Sequence, residues 1–309
     1  MTPKVIINPA AGQGAAGKAW PGIAARLRAA LGEIDISQTA QAGEETALAR
    51  QALAAGHNHF IAVGGDGTMN GVLNGIMGED GTMAHDAVRL SVIPAGTSNE
   101  LPRALGFHGN VDGAIDAIAS GREQRIDLLQ ADCVGLDAAP HRHYGVLSIA
   151  WGGVAEVTYR TNQAGLLKKL GGRFSYYINA LMVALTYPKR HGDVDIDDRQ
   201  MTDLLHYAGL ICNLEILGGG MRLAPGADHT DGIANLVLFK DIPRRDIIVQ
   251  KPSWLFEGHH IEHPEIDYIP GRAFSVTGSP EARVDADGET IGYLPLKVKT
   301  LKGALRVIG

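Results

Sequence analysis

The sequence predicts two domains: an N-terminal α/β domain with a parallel sheet over residues 1–121, and a C-terminal, mostly antiparallel β-sandwich over residues 122–291. Three observations lead to this fold class. The length of 309 residues suggests roughly two domains. Up to residue 121, short apolar strands alternate with amphipathic helices, which is the pattern of a parallel sheet. From Arg122 onward, short alternating segments separated by turn signals are typical of an antiparallel sandwich.

The first domain is organised around one strand and the loop that follows it. Residues 60–63 are all apolar and predict a buried strand, and residues 64–68 form a glycine loop, the second glycine loop of the chain. The next helix is predicted to bury a face made of Met69, Val72, Leu73, Ile76 and Met77. Glycines let backbone N–H groups approach a phosphate, and a helix N-terminus adds a favourable field. The candidate phosphate contacts here are Gly64, Gly65, Gly67 and Thr68.

Asp66 is the unexpected residue of this loop, because a bare carboxylate repels phosphate. It makes sense there if it holds Mg²⁺ or takes a proton from an attacking hydroxyl. The alternative is an Asp-Gly turn that only ends the strand. The whole stretch Gly-Gly-Asp-Gly-Thr at a strand–helix junction favours the chemical interpretation.

Two other strands end in polar glycine loops. Residues 4–7 predict a strand that leads into the first glycine loop (residues 8–14), and residues 90–93 lead into the third glycine loop (residues 94–99). Their candidate nucleotide contacts are Asn8, Pro9, Gly12, Gly14, Gly96, Thr97 and Asn99. Because the carboxyl ends of parallel strands meet at one edge of a sheet, the three loops together predict a nucleotide cleft.

The first glycine loop can be compared with two common phosphate-binding motifs, the Walker loop and the dinucleotide fingerprint. No Gly-Lys-Ser/Thr is present, so it is not a Walker loop. Gly12, Gly14 and Gly17 do spell the dinucleotide fingerprint, and a Rossmann oxidoreductase is therefore an alternative. Against it, residues 34–36 follow without the features that place an acidic residue on a ribose.

One helix interrupts the strands of the second domain. The predicted strands are residues 125–128, 144–151, 194–197, 210–217, 233–239 and 274–276. Residues 174–187 have a helical period with one apolar face, formed by Tyr177, Ile178, Leu181, Met182 and Leu185. A helix that covers the core of the sandwich is the favoured interpretation. The wall of an acyl-chain pocket, with methionine as a deformable lining, is the other, and both can hold at once.

Composition excludes several classes of function. A formal net charge of −6 gives no whole-protein attraction to nucleic acid or to anionic lipid. Two cysteines are too few for a disulfide framework or a zinc cluster, and the histidines lack the H-E-x-x-H pattern. No secretory signal is recognisable, and no apolar run approaches the ~20 residues of a membrane span. The expected location is the cytoplasm, with peripheral membrane contact left open.

The three loops resemble those of the diacylglycerol kinase, sphingosine kinase and ceramide kinase family. The shared patterns are Asn-Pro-x-x-Gly-x-Gly, Gly-Gly-Asp-Gly-Thr before an Asn-Gly helix, and Pro-x-Gly-Thr-x-Asn, in this order. NAD kinases and phosphofructokinases carry similar loops, and the resemblance implies an N-terminal domain of that fold. It also implies that residues from about 292 to 309 run back to the first domain. This chain departs from the family at Gly71, where an acidic residue is usual, and at Glu100, where aspartate is usual.

The resemblance also implies roles for particular residues. ATP and Mg²⁺ are the expected nucleotide and cofactor, with Arg173 adding charge at the phosphates. The catalytic candidates are Asp66, Asp287 and Glu289, of which Asp66 or Asp287 accepts the proton of the lipid hydroxyl. The lipid-binding candidates are Glu156 at the headgroup and Trp151, Ile178, Leu181 and Met182. Asp228 and Asp231 are implied to hold a structural Mg²⁺ or Ca²⁺, for which a plain Asx-turn is an equal alternative.

The predicted function is an ATP-dependent lipid kinase that phosphorylates the primary hydroxyl of a long-chain lipid. The Trp151-Gly152 segment resembles one in sphingosine kinases, which implies a sphingolipid acceptor, ceramide or a sphingoid base, and diacylglycerol is the alternative. An NAD kinase, or a catalytically silent lipid- or nucleotide-binding module, is a further alternative, the silent module because of Gly71 and Glu100. The expected partner is a lipid substrate at a membrane surface, with no nucleic acid, and a homodimer is left open.

Overall fold

The computed structural model describes residues 2–41, 43–78, 81–83, 87–107, 110–163, 172–249 and 253–308, without the side chains of residues 172–177, 247–249 and 253. The chain forms two compact units. The first unit comprises Met1–Asp127 and Gly303–Gly309, and the second comprises Leu128–Lys302. The sequence predicted that the first domain ends after residue 121 and that the chain runs back to it at about residue 292. In the structure both positions lie further along the chain, after Asp127 and at Gly303.

Strands and helices alternate along the first unit and give way to strands in the second. The elements up to residue 120 are β1 (Lys4–Ile7), α1 (Ala15–Leu31), β2 (Asp35–Gln38), α2 (Glu44–Ala54), β3 (His59–Gly64), α3 (Asp66–Ile76), β4 (Arg89–Pro94), α4 (Glu100–Ala104) and α5 (Val111–Ser120). The elements that follow are β5 (Glu123–Gly135), β6 (Pro140–Gly145), β7 (Ser148–Gly152), α6 (Gly153–Gln163), α7 (Gly172–Thr186), β8 (Arg190–Ile196), β9 (Arg199–His206), β10 (Ala208–Cys212), β11 (Ala234–Phe239), α8 (Arg244–Val249), α9 (Ser253–Phe256), a 3₁₀ helix (His259–Glu262), β12 (Ile266–Gly271), β13 (Ala273–Val276), β14 (Arg283–Ala286) and β15 (Glu289–Ile308).

The first unit contains the predicted parallel sheet. Its strand order is β4-β3-β1-β2, and each neighbouring pair is parallel. The last residues of β15 add a further parallel pairing, with Val307 beside Leu90 of β4. Because β1, β3 and β4 are adjacent and point the same way, the three loops that leave their carboxyl ends lie at one edge of the sheet.

Helix α3 buries its predicted face and packs closely against α2. Met69, Val72, Leu73 and Ile76 are fully buried. The contact with α2 is made through glycines: a Cβ added at Gly75 would lie 2.5 Å from the Cβ of Ala49, and one added at Gly71 would lie 2.7 Å from the Cβ of Glu45. A side chain at either glycine would push the two helices apart, so glycine sets their spacing.

The second unit is a sandwich of antiparallel strands, as the sequence predicted. One sheet has the order β12-β11-β10-β7-β14-β15 and the other has the order β6-β5-β15-β13-β8-β9. Strand β15 belongs to both: its first residues pair with β14 and residues 296–299 pair with β13. Alternate residues of both sheets fill the space between them, and the core contains Leu129, Ile149, Trp151, Val194, Ile211, Leu236, Phe274, Val284 and Leu296.

Helix α7 forms where the sequence predicted it, but the interpretation of its apolar face as a core face is wrong. Leu181, Met182 and Leu185 are 39%, 48% and 44% exposed, whereas Val183 and Ala184 are buried. The helix is apolar on nearly all sides, so the 3.6-residue period could not identify which side faces the core. The face that was expected to be covered is a surface.

Candidate active site

The three glycine loops lie side by side in the first unit. The N–H of Asn8 donates to the carbonyl of Val63, 3.1 Å away, and the N–H of Ala95 donates to the carbonyl of Gly64 at 2.8 Å. These two bonds tie the first and third loops to the end of β3, which runs between them. The second glycine loop therefore lies between the other two, at the edge of the sheet where the sequence predicted that the three loops meet.

Glycine is required where the second and third loops meet. A Cβ added at Gly96 would lie 2.2 Å from the Cα of Gly65 and 2.8 Å from its backbone nitrogen. Both neighbours are backbone atoms, which cannot rotate away as a side chain can. The close approach leaves a surface of backbone with no Cβ atoms on it, which is what a phosphate needs to reach main-chain N–H groups.

The first glycine loop curls before α1 begins. Gly12, Gln13 and Gly14 all have positive φ angles, of 59°, 59° and 87°. Two of the three are glycine, which tolerates this conformation, whereas Gln13 adopts it at a steric cost. A Cβ added at Gly12 would lie 2.8 Å from the carbonyl oxygen of Ala95, so the first and third loops touch as well. The sequence predicted a loop here, but not its left-handed path.

Asp66 occupies the first turn of α3, where a negative charge is favoured by the helix dipole. It is half-buried, and its Oδ1 accepts a hydrogen bond from the backbone N–H of Glu100 at 2.9 Å. This bond fixes the carboxylate between the second loop and the start of α4. Glu100 itself is buried, at 3% exposure, so its departure from the family pattern is accommodated inside the unit.

The two asparagines predicted to contact nucleotide both brace loop backbone. The amide of Asn99 accepts from the N–H of Gly96 at 3.0 Å and donates to the carbonyl of the same residue at 2.9 Å. Asn8 accepts from the N–H of Ala10 at 3.0 Å and donates to Glu45 at 3.0 Å. These bonds shape the loops, and Thr97 and Gly67 are exposed beside them.

Asp287 is held in the second unit by three backbone donors. Its carboxylate accepts hydrogen bonds from the N–H groups of Val146, Leu147 and Ser148, at 2.8, 2.7 and 3.0 Å. It is 7% exposed and has a positive φ of 51°. A carboxylate with this many donors is an anchor for the turn between β6 and β7. Glu289, by contrast, is exposed at the first residue of β15.

A second acid, Asp285, lies two residues before Asp287 and was not singled out from the sequence. It is 3% exposed; its Oδ1 accepts from the N–H of Gly288, and its Oδ2 has no hydrogen-bond partner among the described residues. Burial raises the pKa of Asp285 well above its ordinary range, and the neighbouring charges of Asp287 and Glu289 act in the same direction. Burial and the two neighbouring carboxylates thus both disfavour the charged form of Asp285.

The proposed headgroup residue, Glu156, is part of an ion-pair network. It accepts from the Nε of Arg160 at 2.8 Å and from the Nε of Arg283 at 3.0 Å. The guanidinium of Arg283 also stacks 3.6 Å from the ring centroid of Tyr159. Both carboxylate oxygens are engaged in this state, so a role for Glu156 at a lipid headgroup stays a prediction.

Trp151 and the predicted acyl-chain residues are in different environments. Trp151 is 1% exposed, its indole N–H donates to His206 at 3.2 Å, and its ring lies against Gly209. The structure thus places it in the core of the sandwich and not on a surface that a lipid could reach. Leu181 and Met182 are on the exposed face of α7, and Ile178 is half-buried.

The remaining predicted sites are only partly described. The side chain of Arg173 lies outside the described residues. Asp228 accepts from the N–H and hydroxyl of Thr230 at 2.9 and 2.7 Å, and the hydroxyl bond lowers the pKa of this carboxyl below its usual range. Asp231 accepts from the N–H of Ile233 at 2.8 Å. The two bonds from backbone N–H groups are those of Asx-turns. The described part of the chain contains no cluster of three or more His, Cys, Asp or Glu that could hold a metal ion.

Comparison with known families matches both units. A family model described as the diacylglycerol kinase catalytic domain matches residues 2–131. A second, described as the YegS C-terminal NAD kinase beta sandwich-like domain, matches residues 147–309. The second match alone covers more than half of the chain.

Relatives and solved structures agree with these matches. A protein named diacylglycerol kinase from Staphylococcus epidermidis is 27% identical over 308 residues, covering 98% of this chain and 90% of that protein. One from Staphylococcus saprophyticus is 28% identical, with 98% and 94% covered. The crystal structure of a diacylglycerol kinase from Bacillus anthracis has a TM-score of 0.71 at 21% identity, with 99% and 96% covered. An NAD kinase from Archaeoglobus fulgidus, solved with ATP, has a TM-score of 0.50 at 12% identity, with 100% and 94% covered, which supports the fold alone.

Proposed function

The chain belongs to the family of bacterial lipid kinases that combine a diacylglycerol kinase catalytic domain with a YegS-type β-sandwich domain, and from this premise we propose that it transfers the γ-phosphoryl group of ATP to the primary hydroxyl of diacylglycerol. The observation that carries the nucleotide side of the proposal is the contact of Gly96 with Gly65, which makes an edge of bare backbone beside Asp66. The sequence favoured a sphingolipid acceptor. The curated relatives of nearly full length are named diacylglycerol kinase, which supports the alternative acceptor better.

ATP fits the edge formed by the three loops. The α3 N-terminus presents the first-turn N–H groups of Gly67 and Thr68, and the glycine contacts keep Cβ atoms away from the approach. Mg²⁺ fits as well, because such ions in kinase sites are held by one or two carboxylates together with substrate phosphates. The phosphate oxygens of ATP and the carboxylate of Asp66 would hold it, and the ion would neutralise phosphate charge.

Phosphoryl transfer requires few chemical groups from the protein. The hydroxyl oxygen of the lipid forms a bond to the γ-phosphorus, the bond from that phosphorus to the bridging oxygen of ADP breaks, and the hydroxyl proton leaves to a base. Asp66 is the one carboxylate in the three loops, and its orientation is fixed by the N–H of Glu100. Asp287 is engaged by three backbone donors. We therefore assign the proton to Asp66 and an anchoring role to Asp287.

The exposed face of α7 (Leu181, Met182 and Leu185) supports a lipid substrate. Helix α8 packs against α7, and Arg244 of α8 donates to the carbonyl of Tyr187 just after the end of α7. Arg244 and Arg245 are exposed, and Arg244 reaches the end of α7 through this bond. Apolar side chains next to arginines suit the boundary of acyl chains and anionic headgroups. On these grounds we propose peripheral membrane contact through this face. None of the described helices combines the length and the apolar run that crossing a bilayer requires.

An acceptor panel tests the proposal. Labelled ATP, Mg²⁺ and the wild-type chain are incubated with diacylglycerol, ceramide or sphingosine in mixed micelles, and with NAD in solution, and the products are separated by chromatography. We expect label in phosphatidic acid, formed from diacylglycerol. Label mainly in ceramide or sphingosine phosphate would overturn the acceptor, and label in NADP would overturn the lipid kinase. ATP binding without transfer to any acceptor would indicate a silent module.

A further inference from the structure

Glu45 is a buried carboxylate that reaches the first glycine loop from helix α2. It is 4% exposed, although charged side chains are rarely buried to this extent unless they are paired. Its Oε1 accepts from the side-chain amide of Asn8 at 3.0 Å, and its Oε2 accepts from the N–H of Gly43 at 3.0 Å. One oxygen thus holds the start of its own helix and the other holds the loop.

The bond to Asn8 determines which way that amide points. With its nitrogen donated to Glu45, the amide oxygen of Asn8 is turned toward the N–H of Ala10, from which it accepts at 3.0 Å. The carbonyl of Asn8 in turn accepts from the N–H of Ala11 at 3.1 Å. The path of the loop between Asn8 and the left-handed residues at Gly12 is therefore set by a side chain from another helix.

Gly71 makes this arrangement sterically possible. A Cβ at position 71 would lie 2.7 Å from the Cβ and 3.5 Å from the Cγ of Glu45, so any side chain there would displace Glu45 from its position. The Cβ is the stiff end of the glutamate and cannot be relieved by rotation. The hydroxyl of Thr46 donates to the carbonyl of Gly71 at 2.9 Å and holds the two helices at this distance.

We propose that Glu45 is a positioning residue of the nucleotide site, which orients the first glycine loop through Asn8, and that Gly71 is glycine because Glu45 fills its space. This inference rests on the proposed binding of ATP phosphates at the three loops. It also explains by packing why this chain has glycine at position 71, where the family usually has an acidic residue. The space that a side chain would take there is filled by Glu45, whose carboxylate bonds to Asn8 of the first glycine loop.

A reciprocal exchange of donor and acceptor tests the proposal. In Glu45→Gln the amide can satisfy Asn8 or Gly43 but not both, and in Asn8→Asp two carboxylates face each other. In the double variant the glutamine donates to the aspartate and still accepts from Gly43, so every bond is restored. We expect each single variant to raise the KM for ATP by about tenfold with little change in kcat, because a charge-assisted hydrogen bond is lost. The double variant is expected to recover most of this loss.

Two further variants separate positioning from general stability. Gly71→Ala should raise the KM for ATP as Glu45→Gln does, because it displaces the same side chain. Glu44→Gln is the matched control: Glu44 is the adjacent residue, and its carboxylate accepts only from Ala40 and Gln41 in the described contacts. It should change the melting temperature without changing the KM for ATP. All kinetics are measured well below the melting temperature of each variant.

The dissociation constant of ATP is measured alongside KM, so the inference can fail separately from the proposed function. A wild type that binds ATP but phosphorylates no acceptor would overturn the proposed function. The effect of the Glu45 and Asn8 variants could still be measured then, as a change in the dissociation constant of ATP. Single variants with wild-type affinity for ATP would overturn the inference, as would a double variant in which the two losses add. A wild type that binds no ATP would overturn both.

Discussion

Asp66→Asn is expected to lower kcat for lipid phosphorylation by about a thousandfold, within the range of positioned acid–base and electrostatic groups. The substitution removes the charge that would hold Mg²⁺ and the base that would take the hydroxyl proton. It keeps an oxygen that can accept from the N–H of Glu100, a bond of 2.9 Å in the structure. The fold should therefore persist. Phosphoryl transfer from labelled ATP and thermal unfolding measure the two effects on the same preparation.

Asp112→Asn is the matched control for this experiment. Asp112 also lies in the first turn of a helix of the first unit, α5, and it pairs with Arg26 at the surface. Loss of its charge should leave kcat unchanged, because exposed ion pairs contribute little. If Asp66→Asn retained kcat within tenfold of the wild type, Asp66 would not be the working carboxylate, and Glu289 would become the next candidate.

Gly96→Ala is expected to abolish measurable ATP binding and to destabilise the first unit by about 1–3 kcal/mol, the usual cost of forcing an extra carbon into a packed site. The new Cβ would lie 2.2 Å from the Cα of Gly65, so the second and third loops must separate. Separation would open the edge that we propose for the phosphates. Calorimetric titration with ATP and denaturant unfolding would measure both effects.

The control for this substitution is Gly22→Ala in α1. A Cβ at Gly22 meets nothing within 4 Å and its φ is not in the left-handed region. Alanine is favoured over glycine in a helix by up to ~1 kcal/mol, so this variant should be as stable as the wild type or more so. Normal ATP affinity in Gly96→Ala would show that the contact between the loops does not shape the nucleotide site.

The parallel sheet and the position of its loops were predictable from the sequence because they depend on local patterns. A run of apolar residues followed by glycines marks a strand end, and a parallel sheet brings such ends to one edge. The buried face of α3 followed from spacing in the same way. These features need no knowledge of which distant residues touch.

The features that could not be predicted from the sequence depend on contacts between residues that are far apart in the chain. Nothing in the sequence singles out Glu45, because only the structure places it against Gly71 and beside Asn8. The anchoring of Asp287 depends on N–H groups about 140 positions earlier in the chain. The exposed face of α7 was misassigned because the helix has apolar residues on nearly all of its own sides. The period alone therefore does not show which side faces the core.

The most direct test of the account is a crystal structure of the chain with Mg²⁺ and a non-hydrolysable ATP analogue. We predict that the terminal phosphates lie against the backbone N–H groups of residues 64–68, with the carboxylate of Asp66 next to the ion. Phosphates bound in the first unit away from the three glycine loops, or anywhere in the second unit, would contradict it.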